Sequence, residues 1–307
     1  MTPLRLATRG SDLARTQSLL VANALQAATG RTTELVIVET SGDQKTDVPL
    51  AEIGTIGAFT TEVQDAVLGG RADFAVHSQK DLPVMQVEGL TCAAIPERAD
   101  SADWLLVHED HFINPNETEA PLPLKTDACI GTSAARRQAF LSAMLPASHS
   151  KLLRGNVPTR IQRLKDGDYD AILLAGAGLL RLKADLSGLQ CVRLDPQTWP
   201  GAPGQGALAI ECRKDDNTTI EILQTIHHAV SATTVHAERE LLRLLGGGCG
   251  LPLGASASIV DGGIQLIAAL GPTTGDDQQL RRADVLGASS TQAAERAFAT
   301  LTEPLLP

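Results

Sequence analysis

Three strand–turn–helix units follow one another between residues 128 and 183, and no other stretch constrains the fold as tightly. Ala128-Cys129-Ile130 reads as a strand, Gly131-Thr132-Ser133 as a turn and residues 134–145 as a helix. Lys151-Leu152-Leu153 is the second strand and Arg154-Gly155-Asn156-Val157 its turn. The helix over 158–165 then opens on Pro158, whose missing N–H costs nothing in a first turn. Residues 171–174 form the third strand, and Ala175-Gly176-Ala177-Gly178 leads into a short helix ending near Lys183. Units of this kind in series predict a parallel, doubly wound sheet.

The same grammar opens the chain. Residues 4–7 read as a strand, Ser11 or Asp12 as the cap of a helix running to Ala28, and Gly30 as its stop. A strand follows at 35–39. Residues 40–59 then show no periodicity, and a stretch of that length suggests a lid or binding loop, expected over 42–58. After a helix at 61–68, a strand at 72–77 runs into Ser78-Gln79-Lys80-Asp81-Leu82-Pro83, with another strand at 90–95. Residues 96–100 read as a crossing, 104–107 as a strand and 108–126 as a polar insertion. The turn-rich connector Trp199-Pro200-Gly201-Ala202-Pro203-Gly204-Gln205-Gly206 precedes a strand at 207–211. Helical patterns over 218–230 and 234–245, strands at 255–260, 264–270 and 280–286, and a helix at 290–301 predict a small α+β third domain.

Several function classes are disfavoured. The net charge of −10 argues against broad nucleic-acid binding, which needs a basic face. No apolar run approaches the ~20 residues of a membrane span. The N-terminal residues lack the apolar core of a signal peptide, and five cysteines without framework spacing suit a reducing compartment, so a cytoplasmic protein is expected.

One cysteine stands apart. Cys249 sits in Leu244-Leu245-Gly246-Gly247-Gly248-Cys249-Gly250-Leu251, flanked by glycines that leave room beside the backbone. Cys92, Cys129, Cys191 and Cys212 lie in or beside short apolar runs, where a free thiol is usually a small buried hydrophobe. Arginines recur where strands end and helices begin: Arg9, Arg136, Arg137, Arg154, Arg160 and Arg181. In doubly wound sheets the ligand cleft lies beyond those strand ends. Arginine grips carboxylate or phosphate through paired hydrogen bonds, so this set on an acidic protein points to a ligand with several anionic groups. Lys80-Asp81 at another strand end offers either a proton-transfer carboxylate or a local salt bridge. His227, His228 and His236 lack metal-ligand spacing, and no metal is expected.

These pieces closely resemble the porphobilinogen deaminase (hydroxymethylbilane synthase) family. The resemblance runs through Ala7-Thr8-Arg9-Gly10-Ser11, Val76-His77-Ser78-Gln79-Lys80-Asp81-Leu82-Pro83, Gly131-Thr132-Ser133-Ala134-Ala135-Arg136-Arg137-Gln138, Leu153-Arg154-Gly155-Asn156-Val157-Pro158-Thr159-Arg160, Pro203-Gly204-Gln205-Gly206 and Ala237-Glu238-Arg239. It implies two doubly wound α/β lobes like type II periplasmic binding proteins, spanning 1–97 with 198–215 and 98–197, and a small α+β domain over 216–307. It implies a dipyrromethane cofactor held by a thioether to Cys249 and bound by Lys80, Ser133, Arg136, Arg137 and Arg160. Arg9, Ser11, Arg154 and Arg181 would bind the substrate porphobilinogen, and Asp81 would stabilise the azafulvene cation left when ammonia departs. Four units join head to tail into hydroxymethylbilane, and a monomer without nucleic-acid or membrane partners is expected. Two positions depart from the family pattern: Ile56 stands where its lid often has lysine, and Ala134 where a second serine is common. A non-catalytic anion-binding protein and a simple thiol enzyme built on Cys249 are the rival readings. No histidine lies in a motif that would activate the thiol.

Overall fold

β1 (Leu4–Arg9) leads into α1 (Asp12–Thr29) through a side-chain cap, the Ala14 N–H donating to Ser11 Oγ at 3.4 Å. The helix buries Gln17, Ser18, Val21 and Leu25 against the sheet. It stops at Gly30, whose φ of 71° lets its N–H return to the Gln26 carbonyl. The computed structural model describes residues 2–40, 60–248, 250–272 and 279–303. The expected lid at 42–58, Ile56 within it, and Cys249 lie outside the described residues.

β2 (Thr33–Val38), α2 (Thr61–Leu68), β3 (Phe74–Ser78) and β4 (Leu90–Ala94) complete the first run of the chain. β10 (Leu208–Arg213) returns much later to the same sheet, whose order is β2-β1-β3-β10-β4. β1 pairs parallel with β2 and β3, whereas β10 runs antiparallel to both its neighbours. The second sheet repeats this plan. β5 (Asp103–His108) is followed by β6 (Cys129–Gly131), α3 (Ala135–Met144), β7 (His149–Lys151), α4 (Val157–Lys165), β8 (Ala171–Ala175), α5 (Gly176–Leu182) and β9 (Leu189–Arg193). Its order is β7-β6-β8-β5-β9, with β6, β7 and β8 parallel and β5 antiparallel to both its neighbours. Each lobe is therefore a mixed sheet, not a wholly parallel one. The reversed strand in each case is the one that has just crossed over from the other lobe. It enters from the end at which the resident strands finish, so it must run against them.

Three further expectations need correction. β7 lies over 149–151, not 151–153; Leu153 is buried beyond the strand end, so burial, not pairing, explains its apolar character. The pattern over 218–230 is broken into α6 (Asn217–Gln224) and the start of α7 (Ala229–Leu244). The break occurs where His228 Nδ1 accepts the Ser231 N–H and caps the second helix. Of the four strand cysteines only Cys212 is buried; Cys92 and Cys191 are exposed and Cys129 is intermediate.

The third unit packs α7 and α8 (Ser290–Thr302) onto the antiparallel sheet β11 (Leu253–Val260), β12 (Gly263–Leu270), β13 (Arg281–Gly287). Ala237 on α7 and Ala293, Ala294, Ala297 and Leu301 on α8 are buried in one apolar cluster with Leu253 and Leu266 of the sheet. No helix among the described residues is long and apolar enough to cross a membrane.

One carboxylate joins all three units. Glu238 on α7 is fully buried and binds both terminal nitrogens of Arg98, at 2.7 and 2.9 Å. It also accepts the N–H groups of Gly204 and Ala257, at 2.8 and 2.9 Å. Arg98 lies on the outward crossing, Gly204 on the returning connector and Ala257 on β11. The two crossings lie side by side: Gly206, at φ 86°, comes so close that a Cβ there would sit 2.6 Å from the Ala99 carbonyl. Glu238→Gln would leave the part-buried Arg98 guanidinium without its counter-charge. We expect a loss of about 3–5 kcal/mol, the range for breaking a buried pair on one side, read as a clear fall in melting temperature. An unchanged melting curve would contradict the joint.

Candidate active site

The functional side chains sit where the resident strands end. Arg9 closes β1, and Ser11 caps α1. β3 ends at Ser78, and the chain tightens into a 3-10 turn over Gln79–Asp81. Arg9, Ser11, Gln17, His77, Ser78 and Asp81 line one cavity. The Gln17 amide donates to Ser78 Oγ at 2.9 Å and fixes the rim of that cavity. Asp81 is exposed. Lys80 turns inward and donates to Gln205 Oε1 at 3.3 Å. Burial pushes its pKa down, the Asp81 carboxylate opposes this, and Arg137 and Arg136 add to the fall. Lys80 of the first lobe is thus in electrostatic contact with cations of the second.

Those cations come from the first turn of α3. Arg136 and Arg137 are 5% and 6% exposed, and they share one carboxylate. Asp103 Oδ2 lies 2.8 Å from Arg136 Nη1, and Oδ1 lies 2.7 Å from Arg137 Nη2. Trp199 Nε1 and Gln205 Nε2 each donate to the same carboxylate at 2.9 Å. Asp103 has no solvent exposure, yet the two guanidiniums hold its carboxyl well below the usual range, against the penalty of burial. Arg136 Nη1 also donates to the Pro200 carbonyl and Arg137 Nη1 to that of Leu173, at 3.1 and 2.8 Å. The Nε atoms of both arginines are buried and have no hydrogen-bond partner among the described residues.

Arg160 on α4 donates from Nε to the Gly155 carbonyl at 2.6 Å. Burial and the charges of Arg137 and Arg154 lower its pKa to about 10. Arg181 on α5 donates to the Gly206 carbonyl at 2.7 Å, and burial lowers it likewise to about 10. Ser133 is half-buried in the turn before α3. Ala134 occupies the cap position there, and no side chain caps α3, which is the structural consequence of the missing serine. The structure thus brings Lys80, Arg136, Arg137, Arg154 and Arg160 into one electrostatic group, with Arg9, Ser11 and Asp81 together on the facing cavity and Arg181 beside the connector.

Sequence reasoning missed Asp103, although an acid opening the apolar run Trp104-Leu105-Leu106-Val107 was a usable signal. It also missed His77 and Glu211. His77 Nε2 lies 3.3 Å from Glu211 Oε2, which accepts the Gln64 amide at 2.8 Å. Burial, with Arg9 nearby, pushes the imidazole down to about 4, so its neutral form is favoured, and burial pushes the Glu211 carboxyl up against the opposing hydrogen bond from Gln64. No group of three or more metal-ligating side chains is assembled among the described residues.

Comparison with known proteins decides the family. A model of the porphobilinogen deaminase dipyrromethane cofactor binding domain matches residues 4–221, and one of the porphobilinogen deaminase C-terminal domain matches residues 232–305. The chain belongs to the porphobilinogen deaminase family. Its two lobes are α/β domains, each built on a mixed five-stranded sheet, followed by the small C-terminal sheet and helices. Solved structures similar to it include a periplasmic domain of BvgS from Bordetella pertussis, at 16% identity and TM-score 0.39, covering 73% of this chain but only 39% of that one. An arginine-specific periplasmic binding protein of Salmonella typhimurium aligns at 10% identity and TM-score 0.40 over 78% of this chain and 98% of its own. A substrate-binding protein of an amino acid transporter from Streptococcus pneumoniae aligns at 15% identity and TM-score 0.37 over 73% and 87%.

The cation cluster has a stability cost that can be measured. Arg160 in the fold binds its proton less tightly than in the unfolded chain, with a pKa near 10 against 12.5. Its charge therefore destabilises the fold at every pH below about 10, and the penalty fades as pH rises through that value. Arg160→Gln in the primer-free chain should melt higher at pH 7, by on the order of 1 kcal/mol after solvent screening. The gap should narrow near pH 10.5. A variant less stable than wild type at pH 7 would contradict this picture of the cluster.

Proposed function

We propose that this member of the porphobilinogen deaminase family deaminates and joins four porphobilinogen units head to tail on a primer anchored at Cys249, with Asp81 as the reacting carboxylate. Its activity is that of a hydroxymethylbilane synthase, a transferase of porphyrin biosynthesis, and its cofactor is dipyrromethane. The observation that carries the assignment of residues is the cation group spanning the cleft, Lys80 on one side and Arg136, Arg137 and Arg160 on the other.

The residues present suit a cofactor with carboxylate arms. Two buried guanidinium Nε–H donors, on Arg136 and Arg137, are unmatched among the described residues. Mutual repulsion within the cluster is relieved by any bound carboxylate. Lys80, Ser133, Arg136, Arg137 and Arg160 would hold the dipyrromethane. When bound, it supplies the pyrrole carbon on which the chain grows. Arg9, Ser11, Arg154 and Arg181 would bind the carboxylates of the incoming porphobilinogen.

Asp81 lines the same cavity as Arg9 and Ser11 and is exposed to it. Its negative charge opposes the positive charge that develops on the substrate as the amine leaves, and its oxygens can accept the pyrrole N–H. Fixed charge placed where charge develops is a large catalytic contribution, and the carboxylate can take a proton afterwards. We further read the chain as a cytoplasmic monomer without nucleic-acid partners, on its charge of −10 and its cysteine usage. Sheet membership supports domain limits of 1–97 with 198–215, 98–197 and 216–307.

Asp81→Asn keeps the side-chain shape and removes the charge. Loss of general acid–base catalysis alone lowers turnover about 100- to 10,000-fold, while folding should be unaltered. Steady-state rates beside melting curves make the comparison. Near-normal turnover would remove Asp81 from the site and return it to the role of a surface partner of Lys80.

A further inference from the structure

We infer that Asp103 is the positioning residue of the cation cluster: it takes the terminal nitrogens of Arg136 and Arg137 and, through Gln205, sets them against Lys80 across the cleft. The inference rests on reading this cleft as the primer site. Asp103 is the first residue of β5, the strand that enters the second lobe from the outward crossing. It is fully buried and accepts four donors from two places in the chain: Arg136 and Arg137 on α3, and Trp199 and Gln205 on the returning connector. Gln205 uses its two ends differently. Its nitrogen donates to Asp103 and to the Ser101 carbonyl, and its oxygen accepts Lys80 Nζ. Lys80 thus reaches the arginine pair through one amide and one carboxylate.

The arrangement also decides which edges of the guanidiniums remain available. Asp103, Pro200 and Leu173 occupy Nη1 of Arg136 and both terminal nitrogens of Arg137. The Nε–H of each arginine is left without a partner among the described residues, although both residues are more than nine-tenths buried. A buried donor without an acceptor is costly, so it marks a place where an acceptor belongs. One carboxylate facing two cations leaves net positive charge for the ligand. Without Asp103 the two like charges would repel and the aim of both Nε–H groups would be lost.

Asn at this position tests aim apart from shape. Oδ1 accepts Arg137 and Gln205, and Oδ2 accepts Arg136 and Trp199. Whichever oxygen becomes an amino group, it faces one arginine and one neutral donor, N–H against N–H. One guanidinium must then swing away. Asp103→Glu retains the charge and shifts the oxygens by one methylene, so it separates position from charge and carries the test alone should Asp103→Asn fail to fold.

The experiment uses the full chain made by cell-free synthesis without porphobilinogen. Porphobilinogen is added, and whole-chain mass is followed with time beside melting curves. Wild type should gain the mass of the primer. Asp103→Asn and Asp103→Glu should load about 10- to 100-fold more slowly per folded molecule, the consequence of an unmatched buried group in the site. In the fraction that does load, the KM for porphobilinogen should stay within about twofold, because Arg9 and Ser11 do not touch Asp103. A merely structural carboxylate would lower the melting temperature and leave the loading rate of folded molecules unchanged. Loading of either folded variant at the wild-type rate overturns the role of Asp103, whereas a wild type that gains no primer mass overturns the primer reading itself.

Discussion

A carboxylate removed from water, Asp103, is the constraint on which the cleft depends. Burying a lone carboxylate costs several kcal/mol even after relaxation. Here two guanidiniums, an indole N–H and an amide N–H offset that cost, at 2.7 to 2.9 Å. All four donors must be in place together, so the second lobe, the returning connector and the first turn of α3 are ordered as one unit. Glu238 does the same where the three units join, binding Arg98, Gly204 and Ala257. Gln205 touches both systems: its carbonyl accepts Arg98 Nε, and its side chain donates to Asp103. The Glu238 joint and the anion site are therefore adjacent links of one polar chain.

The cost of this design falls on the ligand-free protein. Arg160 and Arg181 both hold their protons less tightly than free arginine, and for Arg160 the neighbouring cations are part of the cause. A site that pre-aims cations before any carboxylate arrives stores repulsion, which binding then releases. Preorganised charge of this kind costs no rearrangement when the ligand enters. On the facing lobe, Asp81 lines one cavity wall with Arg9 and Ser11, so a carboxylate stands beside a cation there.

Most of the architecture could be read from local chemistry. Ser11 and Gly30 bracket α1, and Asn156 with Pro158 opens α4, because caps and proline act within a few residues. The arginines at strand ends pointed to the cleft for the same reason: position along a βα unit decides where a side chain finishes. What escaped depended on distant partners. The antiparallel course of β5 and β10 follows from crossings between lobes, which no local pattern reports. Asp103 is a single acid before an apolar run, and its significance comes from residues 33 to 102 positions away. The exposure of Cys92 and Cys191 reflects which faces of β4 and β9 were left uncovered, again a tertiary matter.

The central claim is that this cleft holds a growing polycarboxylate on the chain itself. Intact mass, measured on samples quenched at short times after porphobilinogen is added, tests it most directly. The account predicts a protein heavier than its sequence by one dipyrromethane, together with a ladder of further species separated by equal steps of one deaminated substrate unit. A chain at its bare sequence mass throughout active turnover would contradict it.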